Sequence, residues 1–300
     1  MILVGILIVH GGHPSSAGQW LPLCLERICS LTSGPEYRIY LWNNLPQDPL
    51  PGRIASGCDK VHLVQASAGD KFPHAHAFPL QKLYDLARND GVRYIVTMDT
   101  DAFPLNPQWL TQLIGKLNEQ NVMAGIWRDE LSEFIPPYIH PSCACMPVDF
   151  IERYHLRFDD VDVSAGNRLD TLSRFTRIAV EKGEPLYGLL RSNKNQFHYL
   201  MGGVYGDLIY HHGAGSRKEI TFWGEEKSEI LKRRNKAINT ALRNMLFDHP
   251  RPYIAWLRGA EEEAAVPGRD SIGFLARKEE LKKLLLEIDV GDAQQNIQAF

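Results

Sequence analysis

At 300 residues, of which 44% are hydrophobic and 23% charged, with a formal net charge of −3, the chain is long enough for one large α/β domain or two small ones. The near-neutral balance excludes a general nucleic-acid binder, whose surface would be broadly basic, while allowing a local basic patch. Five cysteines, Cys24, Cys29, Cys58, Cys143 and Cys145, form an odd set with no C-x-x-C pair; this argues against a disulfide framework or zinc ribbon and points to a reducing, cytoplasmic setting.

The opening MILVGILIVHGG has no positive n-region and its apolar run stops at His10. It reads as a buried first strand, Ile2–Val9, rather than a signal peptide. A helix-period segment follows over 19–31, then strands over 37–42 and 61–66, a helix over 78–89, a strand over 93–99, a helix over 106–120 and a strand over 122–127. Strands alternating with helices predict a mostly parallel sheet covered by helices. A further strand is expected over 142–147, where Cys143 and Cys145 alternate, and another begins at Tyr205. From about Glu225 the sequence turns charged and helix-forming, predicting a helical C-terminal extension over 225–300. No run approaches the roughly 18 apolar residues of a membrane span, so no transmembrane segment is expected, and peripheral membrane association stays open.

The segment YIVTMDTDAFPL (94–105) ends an apolar strand in two carboxylates, Asp99 and Asp101. Alternation along a strand would send i and i+2 to the same side, at the carboxyl end of the sheet where α/β proteins bind ligands. Two carboxylates a few ångströms apart repel unless a cation lies between them, and hard oxygen ligands suit Mg²⁺ or Mn²⁺. The structural alternative is that the pair caps a turn and the following helix.

On these residues the chain resembles the GT-A-fold nucleotide-sugar glycosyltransferases, especially the inverting family 2 group, over roughly 2–216. YLWNNLPQD (40–48) stands where that group has a v-D-N-g-S turn, with Asn44 matching and Asn43 in place of the usual Asp. FDDVDVSAGNRLDTLSRFTRIAVEKG (158–183) resembles the group's g-F-D-E stretch and its E-D-x-x-L-x-x-R helix start: Leu169 replaces Glu, while Asp170, Leu172, Arg174 and Gly183 keep the pattern. YGDLIYHHGAGSRKE (205–219) resembles its H-x-G-x-x-S segment, with His211 in register and His212 adjacent.

The resemblance implies a GT-A-like catalytic domain over 1–224, with a nucleotide-sugar half of about 1–105 and an acceptor half of about 106–224. It implies Asp170 as general base, with Asp159, Asp160 and Asp162 in reserve. It implies Asp99, Asp101, His211 and His212 as the metal set, and a lid of Gly213, Gly215, Arg217 and Lys218 over the diphosphate. His10, Gly11 and Gly12 end the first strand where a nucleotide would sit. His74 and His76 lie toward the same crevice, and Trp127, Phe134, Tyr138, Asp129 and Glu130 suit a sugar acceptor. The nucleotide-sugar contacts expected are therefore His10, Gly12, Asn43, Asn44, His76, Asp99 and Arg217.

The expectation is a Mn²⁺- or Mg²⁺-dependent glycosyltransferase. It would move a sugar from a UDP-, GDP- or dTDP-sugar to a sugar, glycan or lipid-linked hydroxyl, with inversion. Two rivals are a haloacid dehalogenase-type phosphatase using the Asp99/Asp101 pair and a non-catalytic sugar- or nucleotide-binding module.

Overall fold

The apolar run LVGILIVH forms β1 (Leu3–His10), and seven of its eight residues are buried, as expected of a strand covered on both faces of a parallel sheet. In the computed structural model, the described residues are 3–11, 14–67, 76–130, 136–160, 163–164, 167–168, 170–193, 201–213, 215, 229–259 and 273–283; the side chains of 14–17, 163–164, 167–168 and 230–231 fall outside that description.

In chain order β1 is followed by α1 (Pro14–Leu31), β2 (Glu36–Asn43), α2 (Leu50–Ser56), β3 (Val61–Gln65), α3 (Ala77–Asn89), β4 (Tyr94–Asp99), β5 (Ala102–Pro104), α4 (Trp109–Asn118), β6 (Met123–Arg128), β7 (Tyr138–Pro147) and α5 (Val148–Arg153). The short hairpin β8 (Val163–Ser164) and β9 (Asn167–Arg168), α6 (Ser173–Glu181), β10 (Leu186–Leu189), β11 (Gly203–Tyr205), β12 (Ile209–His211), α7 (Glu229–Asp248) and α8 (Pro250–Arg258) complete the assigned elements. A last helix, α9, covers 273–283.

Seven strands form the central sheet in the order β10-β6-β7-β4-β1-β2-β3. All run parallel except β7, which is antiparallel to both β4 and β6. The α/β architecture with a mostly parallel sheet and flanking helices is thus the one expected from the sequence. Side chains leave β1 alternately: Val4, Ile6 and Ile8 meet Leu21, Cys24 and Ile28 of α1 and Trp109, Leu113 and Leu117 of α4 in one core. Leu7 and Val9 point to the other, with Leu80, Leu83 and Ala87 of α3, Phe150 of α5 and Phe175 and Ala179 of α6.

β7 starts four residues earlier than the sequence indicated and runs through Pro141. Proline cannot donate to a ladder. Its place is an irregularity: β6 and β7 shift register between the Gly125–Ala144 and Trp127–Ile139 pairs. Gly125 belongs to the same stretch, where an added Cβ would lie 2.3 Å from the Cys143 carbonyl oxygen.

The chain divides into two compact units. The first comprises Met1–Arg191, Tyr205–His211 and Ser216–Lys218, and contains the sheet; the second comprises Ser192–Val204, His212–Gly215 and Glu219–Phe300. Within the second, α7 and α8 bury Ile238, Leu242, Met245, Tyr253 and Leu257. Trp256 meets Phe274 of α9 edge-on at 5.9 Å between ring centres. Among the described residues no helix is long and apolar enough to cross a membrane.

Candidate functional site

From β1 the sheet grows one way through β2 and β3, and the next strand in sequence, β4, lies on the opposite side of β1. Strand order reverses there, which opens a crevice beyond the carboxyl ends of β1 and β4. Val9 pairs with Asp99 across that point. Both carboxylates of interest therefore stand at the switch point of the sheet.

Strand alternation is not what makes them converge. β4 ends at Asp99, and Asp101 sits in the turn before β5. β5 then pairs antiparallel with β12, placing Ala102 opposite His211. This pairing swings His211 Nε2 to 3.6 Å from Asp101 Oδ1 and 3.9 Å from Asp99 Oδ2. One ligand atom from each of Asp99, Asp101 and His211 lies within 4.8 Å of the others. Asp101 and His211 are only 5% and 4% exposed and the Asp99 side chain is 21% exposed, so water screens Asp101 poorly. Two hard oxygens and one imidazole nitrogen in a space of this size are a donor set that fits Mn²⁺ or Mg²⁺.

Around this centre lies a shell of hydrogen-bonding groups. His76, just before α3, places Nε2 3.1 Å from Asp99 Oδ1. Burial raises the Asp99 carboxyl and the Asp101 charge adds to that, but the His76 hydrogen bond and charge outweigh them and hold it below the usual carboxylate range. Arg128, at the carboxyl end of β6 and 4% exposed, has Nη2 3.0 Å from His211 Nδ1. Its Nη1 lies 3.6 Å from Glu130 Oε1, which also accepts the Tyr205 hydroxyl at 3.0 Å.

Asp170 is the second carboxylate group of the site. Its Oδ2 accepts the Tyr138 hydroxyl at 2.8 Å and faces His140 Nε2 at 3.3 Å, and Oδ1 accepts Thr171 N–H at 2.7 Å. Burial opposes its charge, yet His140, Tyr138 and the Thr171 amide together hold its carboxyl far below the usual range. His140 Nδ1 accepts the Ser142 backbone N–H at 3.1 Å, so its proton is on Nε2, toward Asp170. Burial and Arg128 lower the affinity of His140 for a second proton. The His140 ring also lies 5.4 Å from the His211 ring, linking the Asp170 group to the carboxylate pair. The sequence suggested a helix starting at Asp170; α6 starts at Ser173 and Asp170 precedes it, its backbone oxygen accepting the Ser173 amide at 3.1 Å. Of the reserve acids, Asp159 pairs with Arg157 at 2.7 Å and Asp160 with Arg174.

The residues at the ends of β1 and β2 are engaged with one another. His10 Nε2 donates to Asp48 Oδ2 at 3.0 Å, and Asp48 Oδ1 accepts Leu50 N–H at 2.9 Å. Asn43, fully buried, donates to Gln65 Oε1 and accepts the Leu45 amide, both at 2.9 Å. Asn44 accepts the Trp42 indole N–H at 2.8 Å. Gly11 lets it approach, because a Cβ there would be 3.1 Å from Asn44 Nδ2.

His212 is fully buried and belongs to the second compact unit. Gly12, His74, Phe134, Asp162, Leu169, Arg217 and Lys218 lie outside the described residues, so most of the lid expected over 213–218 does too. Arg128, His140 and Asp48 were not singled out from sequence. Arg128 ends a strand whose other residues are apolar, and His140 lies in one that is apolar apart from Tyr138 and Ser142; a charged or imidazole residue in such a strand is the signal that would have found them.

No family model matches the chain, and no curated protein matches it. Among solved structures it is similar to the mannosyltransferase PcManGT from Pyrobaculum calidifontis in complex with GDP-Man and Mn²⁺, at 13% identity and a TM-score of 0.47, over 98% of this chain and 87% of that one. It is similar to S. aureus TarS 1–349 in complex with UDP-GlcNAc at 11% identity and a TM-score of 0.47, over 97% and 83%. A third is the 4-diphosphocytidyl-2C-methyl-D-erythritolsynthase from Anaerococcus prevotii, at 11% and 0.40, over 63% and 87%. Likeness at this level leaves the chemistry to be read from the site's own residues. Fold and site together define an α/β protein with a carboxylate–imidazole centre at the switch point of its sheet.

Proposed function

We propose that this chain is a metal-dependent glycosyltransferase that moves a sugar from a nucleoside-diphosphate sugar to an acceptor hydroxyl with inversion. The observation that carries the reading is the convergence of Asp99, Asp101 and His211 at the reversal of strand order. Like charges kept this close and this dry favour a cation between them. Bound Mn²⁺ or Mg²⁺ supplies positive charge that offsets the departing diphosphate.

The chain's own residues divide the remaining work. In this reading the nucleotide lies along the carboxyl ends of β1 and β2, where the His10–Asp48 and Asn43–Gln65 pairs and Asn44 shape the turn it packs against, with His76 toward the sugar diphosphate. Asp170, with a side chain 38% exposed, takes the acceptor's hydroxyl proton as the new carbon–oxygen bond forms and the sugar–phosphate bond breaks, its electrons leaving with the diphosphate. A carboxylate held below its ordinary range stays ionised at neutral pH and accepts the proton once the attacking oxygen has become acidic. Residues 1–224 form the catalytic domain, with a nucleotide-sugar half of about 1–105 and an acceptor half of about 106–224, and 225–300 form the helical extension. A sugar, glycan or lipid-linked alcohol is the acceptor, and the free thiols of all five cysteines suit a cytoplasmic setting.

Thermal-shift titration with UDP-, GDP- and dTDP-sugars, with and without Mn²⁺, tests this directly, because a ligand bound only to the folded state raises its stability. One nucleotide class should stabilise the protein only when Mn²⁺ is present. Release of phosphate from phosphoesters with no nucleotide-sugar stabilisation would instead favour the phosphatase. Stabilisation without turnover across an acceptor panel would leave a binding module.

A further inference from the structure

Arg128 is buried, and its guanidinium nitrogen Nη2 sits 3.0 Å from His211 Nδ1. A guanidinium has five N–H donors and no acceptor, so at this contact Nδ1 must be the acceptor. The ring proton of neutral His211 is then on Nε2, the nitrogen that faces Asp101 at 3.6 Å and Asp99 at 3.9 Å. A histidine that binds a metal through Nε2 ordinarily carries its proton on Nδ1 and donates it to a carboxylate, carbonyl or water. Arg128 occupies that place with a donor instead. Glu130 holds the guanidinium from the other side at 3.6 Å, and the Tyr205 ring lies 5.8 Å from it.

We propose that Arg128 is a positioning residue that fixes the tautomer of His211, so that Asp99 and Asp101 ligate the cation while His211 presents an N–H toward their oxygens and those of a bound diphosphate. The proposal rests on the cation-site reading given above. His211 thereby helps the carboxylate pair through a hydrogen-bond donor and gives up its place as a ligand.

The test uses the full chain and Mn²⁺ alone, with free Mn²⁺ read by electron paramagnetic resonance. His211→Ala should leave the Mn²⁺ dissociation constant within about threefold of wild type, since no ligand is lost. Arg128→Met frees Nδ1 to carry the proton and Nε2 to ligate, so affinity should rise about tenfold. That gain should vanish in the Arg128→Met, His211→Ala double variant. Tenfold weaker binding on His211→Ala alone would overturn the proposal. So would a gain that persists in the double variant, because it would come only from the lost positive charge. A readout on wild type covers the case in which Arg128→Met does not fold: two-bond ¹⁵N–¹H correlations of labelled histidine, with the His211 signal assigned by its absence in His211→Ala. The Nε2–H pattern supports the proposal and the Nδ1–H pattern overturns it. If wild type binds no Mn²⁺, the cation reading fails on its own, and the tautomer pattern still decides the role of Arg128.

Discussion

Two sets of polar residues stand at the carboxyl edge of one sheet, and they differ in the charges they bring together. At the ends of β1 and β2, His10 is paired with Asp48 and Asn43 with Gln65 and the Leu45 amide, at hydrogen-bond distances of 2.9–3.0 Å. At the end of β4, His211 approaches Asp99 and Asp101 only to 3.9 and 3.6 Å, too far for hydrogen bonds. In the first set these bonds tie the ends of the two strands into a turn, and His10 Nδ1 is the buried atom left without a hydrogen bond there. The second brings two like charges and an imidazole within 4.8 Å of one another, with His76 reaching Asp99 at 3.1 Å, and clustered carboxylates of this kind are a common feature of functional sites.

The largest expected effect follows from that contrast. Asp101→Ala should abolish Mn²⁺-dependent stabilisation by the nucleotide sugar, a loss of about 2.7 kcal/mol when wild type is measured at 100 times its dissociation constant. The unfolding temperature of the ligand-free variant is the baseline for that comparison. Thermal unfolding with and without Mn²⁺ reads both. A retained manganese-dependent shift would remove the distinction between the two sets.

A smaller effect is expected at the edge formed by β1 and β2. Asn43→Ala leaves the Leu45 amide without its acceptor and removes the bond to Gln65, which is exposed and can turn to water, costing about 1 kcal/mol of stability. Urea unfolding measures that loss, and nucleotide-sugar affinity of the folded variant should stay within about threefold, since hydrogen bonds used inside the turn contribute little to a ligand. Unchanged stability with affinity weakened tenfold or more would show that Asn43 faces the ligand, and the two edges would then be alike.

Much of this arrangement could be read from sequence, and the parts that could not share a physical reason. Continuous apolar runs such as YIVTMD mark buried parallel strands, and the aspartates at their end stand out because charges rarely follow such a run. The six-residue α5 and seven-residue α2 are too short to show a helical period. The reversed direction of β7 leaves no trace in its own composition, since a buried strand looks the same either way. Pro141 also hid the first half of β7, because a proline argues against a central strand until the register irregularity beside it is known. The convergence of His211 on Asp101 depends on β12 pairing with β5, a long-range contact that local pattern does not encode. For the same reason Arg128 and His140 looked like ordinary strand residues.

The smallest effect sharpens the comparison from a third place, Asp170, where a carboxylate is both exposed enough to act and held by donors. Tyr138→Phe removes the hydroxyl that Oδ2 accepts at 2.8 Å. The carboxyl of Asp170 lies below its unfolded value in the folded protein, so its contribution to stability is present above the unfolded value of about 3.9 and is lost as pH falls through the folded one. Weakening one of its donors moves the folded value upward and takes away part of that contribution. With the side chain 38% exposed, solvent screening limits the loss to about 1 kcal/mol at pH 7. Urea unfolding of wild type and Tyr138→Phe should therefore differ most at neutral pH, and the difference should shrink as pH drops below the carboxylate range. A difference that stays constant down to acid pH would show that the tyrosine acts through packing alone, and that Asp170 is held, like Asn43, for structure.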